Sequence, residues 1–123
     1  MAVVLPPSLA HPTGQPRVGD MYWVDTSIYG GDKKEQRPLV VVRAALPPLL
    51  DNVLVVTRTS DTTEPGVKHA KNLALRLNAD GVFSLRNRKR VEQPVFFTMP
   101  RYASFVGEIE EEVLAAVLTM VRL

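Results

Sequence analysis

The sequence has no cysteine in its 123 residues and only two histidines. The missing cysteines exclude a disulfide scaffold, a thiol nucleophile and any zinc or iron–sulfur site with cysteine ligands. His11 and His69 stand in polar or proline-rich surroundings, so a histidine-rich metal site is not expected. The Asp and Glu residues are scattered, without the clustering that a two-metal nuclease requires. We therefore expect neither a metal ion nor a cofactor.

Long apolar runs are missing as well. No stretch approaches the roughly 18 apolar residues that a membrane-spanning helix needs. The apolar start, residues 1–5, is too short for a signal-peptide core and has no basic residue before it. These features, with the absence of cysteine, favour a cytoplasmic protein. Four prolines at positions 6, 7, 12 and 16 predict that residues 1–17 form an extended, flexible leader before a domain at 18–123.

Hydrophobic residues make up 46% of the chain, which is enough for one folded domain with its own core. Short strands are predicted at 21–24, 39–42, 52–57, 73–77, 95–97 and 104–106, with a polar loop at 26–36. From about Glu110, apolar residues recur at helical spacing, namely Val113, Ala116, Val117, Met120 and Val121. Many short strands and one terminal helix predict a mainly β (α+β) fold, a small antiparallel sheet or barrel with a C-terminal amphipathic helix.

The end of the polar loop carries the first candidate site residues. Arg37 directly precedes a buried strand, so its position is fixed while its guanidinium can reach solvent and hold a phosphate. Thr59 and Ser60 end the next buried strand and could contact the same ligand. From spacing alone a purely structural role is favoured, because single Arg and Thr residues are common on surfaces: Arg37 could pair with Asp32 or Glu35, and Thr59 could cap a strand end.

The segment Arg86-Asn87-Arg88-Lys89-Arg90 has four cations in five residues. Such runs can bind a phosphate backbone, but most are simply solvated loops. The aromatic residues could stack on bases, but in the strands of a small domain they are more often core; they are Tyr22, Trp23, Phe83, Phe96 and Phe97. His69 lies between Lys68 and Lys71 with no evident partner, so a surface position is expected for it.

Several of these segments, taken in order, resemble the MazF/PemK family of toxin endoribonucleases. They are the stretches Gly19–Asp25, Gly30–Asp32, Arg37–Val42 and Val91–Gln93, the strand-end Thr59, and Phe105–Ile109 leading into the Glu-rich helix. The resemblance spans about residues 17–123 and is best over 19–60. No single piece is diagnostic; the ordered set carries the likeness.

This resemblance implies an SH3-like barrel of the CcdB/PemK type, a homodimer, and a partner antitoxin whose tail occupies the RNA groove. It also implies metal-independent, sequence-selective cleavage of single-stranded RNA through the ribose 2′-hydroxyl. The family's catalytic Arg and Thr correspond to Arg37 and Thr59, and its loop carboxylate to Asp32, which would orient Arg37. On this interpretation, the residues expected to contact RNA are Ser60, Lys33, Arg58, Arg86, Arg88, Lys89 and Arg90.

The chain departs from the family pattern in three places. The loop before Arg37 is one residue shorter, Pro94 and Val95 stand where a hydrophobic and then a basic residue are usual, and the basic run replaces a mostly apolar stretch. Two alternatives therefore stay open: a non-catalytic or degenerate toxin-like binding module, including a gyrase-inhibitor-like one, and an unrelated small barrel.

Charge is divided unevenly along the chain. Residues 1–107 carry 14 basic and 9 acidic side chains, whereas residues 108–123 carry 1 basic and 4 acidic ones. If RNA binds, it is expected on the sheet and loop side, away from the carboxylates of Glu110, Glu111 and Glu112.

Overall fold

The computed structural model describes residues 16–44, 52–92 and 103–122. These residues form six strands and one helix, which are β1 (Asp20–Asp25), β2 (Gln36–Arg43), β3 (Asn52–Thr59), β4 (Val67–His69), β5 (Gly81–Glu92), β6 (Ala103–Glu108) and α1 (Glu111–Val121). Two short 3-10 turns, Thr26–Tyr29 and Leu73–Leu75, lie in the connections.

The strands form one sheet in the order β4-β5-β3-β2-β1-β6, and every neighbouring pair is antiparallel. The sheet curls into a half-barrel, and α1 packs on one of its faces. The prediction of a mainly β, SH3-like fold with a C-terminal helix is confirmed. Strands β1, β2 and β3 arise where apolar residues predicted them, because both faces of these strands are buried.

Alternating side chains of the sheet divide the core into two layers. The helix-side layer consists of Met21, Val40, Val42, Val56, Leu75, Leu77, Phe83, Ile109 and Val117. The second layer consists of Tyr22, Val24, Leu39, Val41, Val53, Val55, Val91 and Ala103. Thus Tyr22 and Phe83, considered above for base stacking, are fully buried core residues.

Helix α1 forms where the helical spacing predicts it, and only part of its apolar stripe is buried. Val117 is fully covered, whereas Val113, Met120 and Val121 are half-buried. The prediction was wrong for Ala116, which is exposed; two leucines, Leu114 and Leu118, pack against the helix-side layer instead.

The predicted strand at 73–77 is wrong. Asn72 accepts a hydrogen bond from the backbone N–H of Ala74 and caps a 3-10 turn, which leaves Leu73 74% exposed. Asn72 and Leu77 then pair through their backbones and close the loop. The Asn72 cap competes with strand pairing, and the two backbone hydrogen bonds between Asn72 and Leu77 then close the turn. An alternating leucine pattern therefore gives a turn here and not a strand.

Strand β5 was not predicted, because its second half is the basic run and such residues are poor strand formers. Pairing with β3 along most of its length, and with β4 over Gly81–Phe83, imposes the strand. The predicted strand at 95–97, with Phe96 and Phe97, lies outside the described residues. So does the predicted leader, apart from its last two residues. No helix within the described ranges is both long enough and apolar enough to span a membrane.

Candidate functional site

The loop between β1 and β2 is held in shape by its own polar side chains. Asp25 accepts a hydrogen bond from the backbone N–H of Ser27 at 2.9 Å and starts the 3-10 turn. Gly30 ends that turn with φ of 102°, a left-handed conformation that glycine adopts without strain. The buried hydroxyl of Thr26 donates to the carbonyl of Lys34 at 2.7 Å across the loop. The loop therefore presents its tip in a defined position.

Asp32 is the centre of that loop tip. Its Oδ2 accepts hydrogen bonds from the hydroxyl of Tyr29 at 2.6 Å and from Nε of Arg37 at 2.8 Å, and its Oδ1 accepts from the backbone N–H of Lys34 at 2.7 Å. Burial disfavours the charged carboxylate, but these three donors outweigh it and hold the pKa of Asp32 below its usual value. A carboxylate in this state is a weak base and serves to position its donors.

Arg37 and Thr59 meet at one end of the sheet. The register pairs Leu39 of β2 with Thr57 of β3, so Arg37 and Thr59, two residues further along, are brought side by side on the same face. The Nε of Arg37 donates to Asp32, and the guanidinium also lies within hydrogen-bond reach of the Tyr29 hydroxyl. The hydroxyl oxygen of Thr59 accepts from the backbone N–H of Asp61 at 3.1 Å, so its proton is available to a ligand.

These residues line a cleft of about 510 Å³. Its other walls come from the β1–β2 loop, the segment after β3, and β5. Five cations and three carboxylates of the described residues line it and make it net positive. The described lining is Asp32, Lys33, Lys34, Arg37, Thr57, Thr59, Ser60, Asp61, Glu64, Arg86, Asn87 and Lys89. Among these carboxylates, Asp32 is paired with Arg37, and Glu64 with Arg86 at 3.1 Å. A cleft of this kind attracts phosphate groups.

The structure divides the predicted basic run between two faces of β5. Arg86 and Lys89 line the cleft, and the ammonium of Lys89 lies 5.4 Å from the ring centre of Tyr29. Arg88 and Arg90 pair with Val56 and Leu54 of β3, on the helix side of the sheet. The run therefore does not act as one surface toward the cleft.

Arg58 points away from the cleft, into a buried network. Its Nε–H donates to Nδ1 of His69 at 2.9 Å, and its Nη2 donates to the carbonyls of His69 and Ala79 at 2.9 and 2.8 Å. The guanidinium is thus hydrogen-bonded within the protein, and Arg58 also lines a smaller cleft beside the first. Its contact with RNA stays a prediction. Burial lowers the pKa of Arg58 from its ordinary value, and Asp80 and Glu110 oppose that shift.

The predicted surface position of His69 is wrong. In the structure this side chain is buried, with 1% exposure. Because Arg58 donates to Nδ1, that nitrogen carries no proton, and Nε2 carries it instead. Nε2 therefore donates to Glu110, whose Oε1 lies 2.9 Å away at the N-cap of α1. Both ring nitrogens are satisfied, which makes the burial of His69 favourable. The network connects the end of β3 to the start of α1.

The carboxylate of Glu110 gives this network a pH dependence. Burial raises the pKa of Glu110, but the hydrogen bond from His69 leads the effects that lower it, and the net pKa lies below its ordinary value of 4.5. The folded state therefore binds a proton less readily than the unfolded chain. The stability that the ionised Glu110 contributes to the fold is complete above pH 4.5 and is lost as the pH falls through the lowered pKa.

We expect Glu110→Gln to reduce this acid dependence. The free energy of unfolding of the native chain, measured by urea titration between pH 7 and pH 3, should fall more steeply with acid than that of the variant. Glu112→Gln, an exposed carboxylate in the same helical turn, is the matched control. Equal pH slopes for native protein and Glu110→Gln would contradict the role given to Glu110.

Among the polar residues of the site that sequence reasoning missed are Tyr29, Lys34, Asp61 and Glu64. Tyr29 had one detectable signal, its position three residues before Asp32 in a glycine-containing loop. The other three depend on how the segments fold back on one another. Within the described ranges, no group of three or more His, Asp and Glu side chains converges in the manner of a metal site.

The half-barrel with a net positive cleft at one end of its sheet defines the class of fold, and comparison with solved structures specifies it further. The chain matches MazF from Deinococcus radiodurans with a TM-score of 0.60 and 18% sequence identity, covering 87% of this chain and 93% of that one. Two MazE–MazF structures from the same organism match with TM-scores of 0.57 and 0.56 and 17% identity, again over 87% of this chain and 91% and 92% of theirs. The protein therefore has the MazF fold. No family model and no curated protein sequence matches the chain.

Proposed function

We propose that the protein is the toxin of a type II toxin–antitoxin system, an endoribonuclease that cuts single-stranded RNA in the cytoplasm without a metal ion. The observation that carries the proposal is that Arg37 and Thr59 line the same net positive cleft, with Arg37 oriented by Asp32. The MazF fold supports the same assignment, and the MazE–MazF structures support an antitoxin as the partner. From the fold, we also propose that the protein forms a homodimer.

The chemistry suits these side chains because RNA supplies its own nucleophile. The ribose 2′-hydroxyl attacks the adjacent phosphorus and loses its proton, the bond from phosphorus to the 5′-oxygen breaks, and that oxygen takes up a proton. The products are a 2′,3′-cyclic phosphate and a 5′-hydroxyl. The protein has to hold the phosphate in line and stabilise the negative charge that grows on its oxygens.

Each candidate residue has a part in that task. Arg37 directs its terminal N–H groups at the phosphate oxygens, and Thr59 donates its hydroxyl proton to one of them. Asp32 fixes the plane of the guanidinium through Nε, so that no reorientation is needed during the reaction. Lys33, Ser60, Arg86 and Lys89 line the same cleft and hold neighbouring phosphates.

The test is cleavage of a long single-stranded RNA in EDTA, with analysis of the ends. We expect cyclic phosphate and 5′-hydroxyl ends, because the 2′-oxygen is the nucleophile. An oligonucleotide with 2′-deoxyribose at the cleaved position should bind but stay intact. Cleavage of the deoxy substrate, or activity only after addition of a divalent metal, would refute the mechanism. Binding of RNA without any cleavage would favour the non-catalytic binding module.

A further inference from the structure

A second cleft, of about 220 Å³, adjoins the first at the end of the sheet. The two clefts share Lys34, Arg37 and Ser60, so Arg37 stands at their boundary. The second cleft opens toward the helix side, between β1, β2 and the turn that precedes β5. A strand of RNA with one phosphate at Arg37 would thus have an adjacent nucleotide beside this second cleft.

The lining of the second cleft differs in chemistry from that of the first. Its apolar wall is made by Trp23, Pro38 and Leu77, and its polar wall carries the side-chain amides of Gln36 and Asn78. Among the described residues no carboxylate lines it, and Lys34, Arg37, Arg58, Ser60 and Ala79 complete the lining. Apolar surface matches the faces of a nucleobase, and amides, which both donate and accept hydrogen bonds, match its edges. The first cleft, with five cations, matches phosphates instead.

The wall that bears Asn78 is braced from behind. Arg58 donates to the carbonyl of Ala79, the next residue, at 2.8 Å, and it is itself held by His69. On the other side of Asn78, the backbones of Leu77 and Asn72 exchange hydrogen bonds of 2.8 and 2.9 Å. A Cβ on Gly81 would lie 2.6 Å from the Arg58 guanidinium, so glycine permits this close packing. The polar wall is therefore preformed, which favours selection among ligands of similar shape.

We propose that the second cleft binds one unpaired nucleobase, next to the phosphate held by Arg37, and that Asn78 and Gln36 read its edge. The inference rests on the proposed endoribonuclease function and adds the place where the choice of sequence is made. Trp23 and Pro38 contact the base itself, while Arg58, which also lines the cleft, holds the wall that bears Asn78.

Trp23 makes the proposal testable without cleavage, because it is the only tryptophan in the chain. The probe is a set of four 2′-deoxy tetranucleotides that differ at one position, with a fifth that is abasic there. We expect the base-bearing probes to change the tryptophan fluorescence and one base to bind best. Asn78→Ala should reduce the preference for that base about tenfold, the value of one or two hydrogen bonds, and Asn78→Asp should change which base is preferred.

Asn52→Ala, which removes the same amide at the far end of β3, is the matched control and should keep the native preference. Circular dichroism melting checks that each variant is folded, and Gln36→Ala replaces Asn78→Ala if the latter is not. An abasic probe that binds and quenches as well as the others would overturn the proposal, as would unchanged base preference in both amide variants.

Cleavage of long RNA by the same variants separates this inference from the function on which it rests. If the native protein cuts RNA but shows no base-dependent fluorescence, the proposed function stands and the base site is refuted. If it shows base-dependent fluorescence but never cuts RNA, the base site stands and the catalytic assignment is refuted. In the cutting case, Asn78→Ala should relax the base frequency at a single position beside the cut.

Discussion

Arg37→Gln is expected to lower the rate of RNA cleavage by about 10³-fold, the usual cost of removing a charged donor from a phosphoryl transition state. Glutamine keeps a polar side chain of similar reach but has neither the positive charge nor the paired terminal N–H groups. The rate is measured under single-turnover conditions in EDTA, so that RNA binding and product release do not mask the chemical step. Arg37→Lys should recover only part of the loss, because lysine keeps the charge without the planar fork.

Arg43→Gln is the matched control for this effect. Arg43 is an exposed arginine at the opposite end of the same strand, so its removal changes the net charge equally while leaving the cleft intact. The cleavage rate of Asp32→Asn should lie between those of Arg37→Gln and Arg43→Gln, since the new amide oxygen can still accept from Nε of Arg37 but carries no charge. Similar rates for Arg37→Gln and Arg43→Gln would refute the catalytic role of Arg37.

The sequence predicts strands β1 to β3 and helix α1 well, for a physical reason. In Leu39–Val42 and Val53–Val56 the local preference for a strand and the burial of both faces act in the same direction. The position of Arg37 follows from this, because a residue just before a buried strand is fixed by it. The contact of Arg37 with Asp32 was one of the possibilities that the sequence suggested, and the structure contains it.

Where local preference and tertiary pairing disagree, the sequence misleads. The alternating leucines 73, 75 and 77 have the period of a strand, but the Asn72 cap and the bond to Leu77 close a turn. The basic run has the composition of a loop, yet β3 supplies a partner that makes it a strand. In that strand, alternation sends Lys89 to the cleft and Arg88 to the other side, which composition alone could not show.

His69 could not have been placed by any local feature. Its two partners, Arg58 and Glu110, are 11 and 41 residues away along the chain. Flanking by Lys68 and Lys71 suggested a solvated position, but Lys68, the neighbour on β4, points to the opposite face of the strand, and Lys71 lies beyond the end of β4. A histidine flanked by lysines can therefore be core when a distant carboxylate and a distant donor meet its two nitrogens.

His69→Phe is expected to destabilise the fold by about 3 kcal/mol, because Arg58 remains buried with its Nε–H unsatisfied. Phenylalanine preserves a ring of similar size beside Phe83, whose ring centre is 5.4 Å from that of His69. The loss therefore measures hydrogen bonding more than packing. Urea unfolding followed by circular dichroism at pH 7 gives the free energy. His69→Gln should restore much of the lost stability, since the glutamine amide can accept from Arg58 and donate to Glu110.

A double replacement distinguishes a hydrogen-bond role for His69 from a role in packing alone. If the cost of His69→Phe comes from the buried Nε–H of Arg58 left without an acceptor, then removing the guanidinium as well should relieve it, because two apolar partners leave no buried donor unsatisfied. The pair Arg58→Met with His69→Phe should thus be more stable than the sum of the two single losses predicts. Strict additivity would mean that the two side chains stabilise the fold independently, and the network would then not be the link between the end of β3 and helix α1.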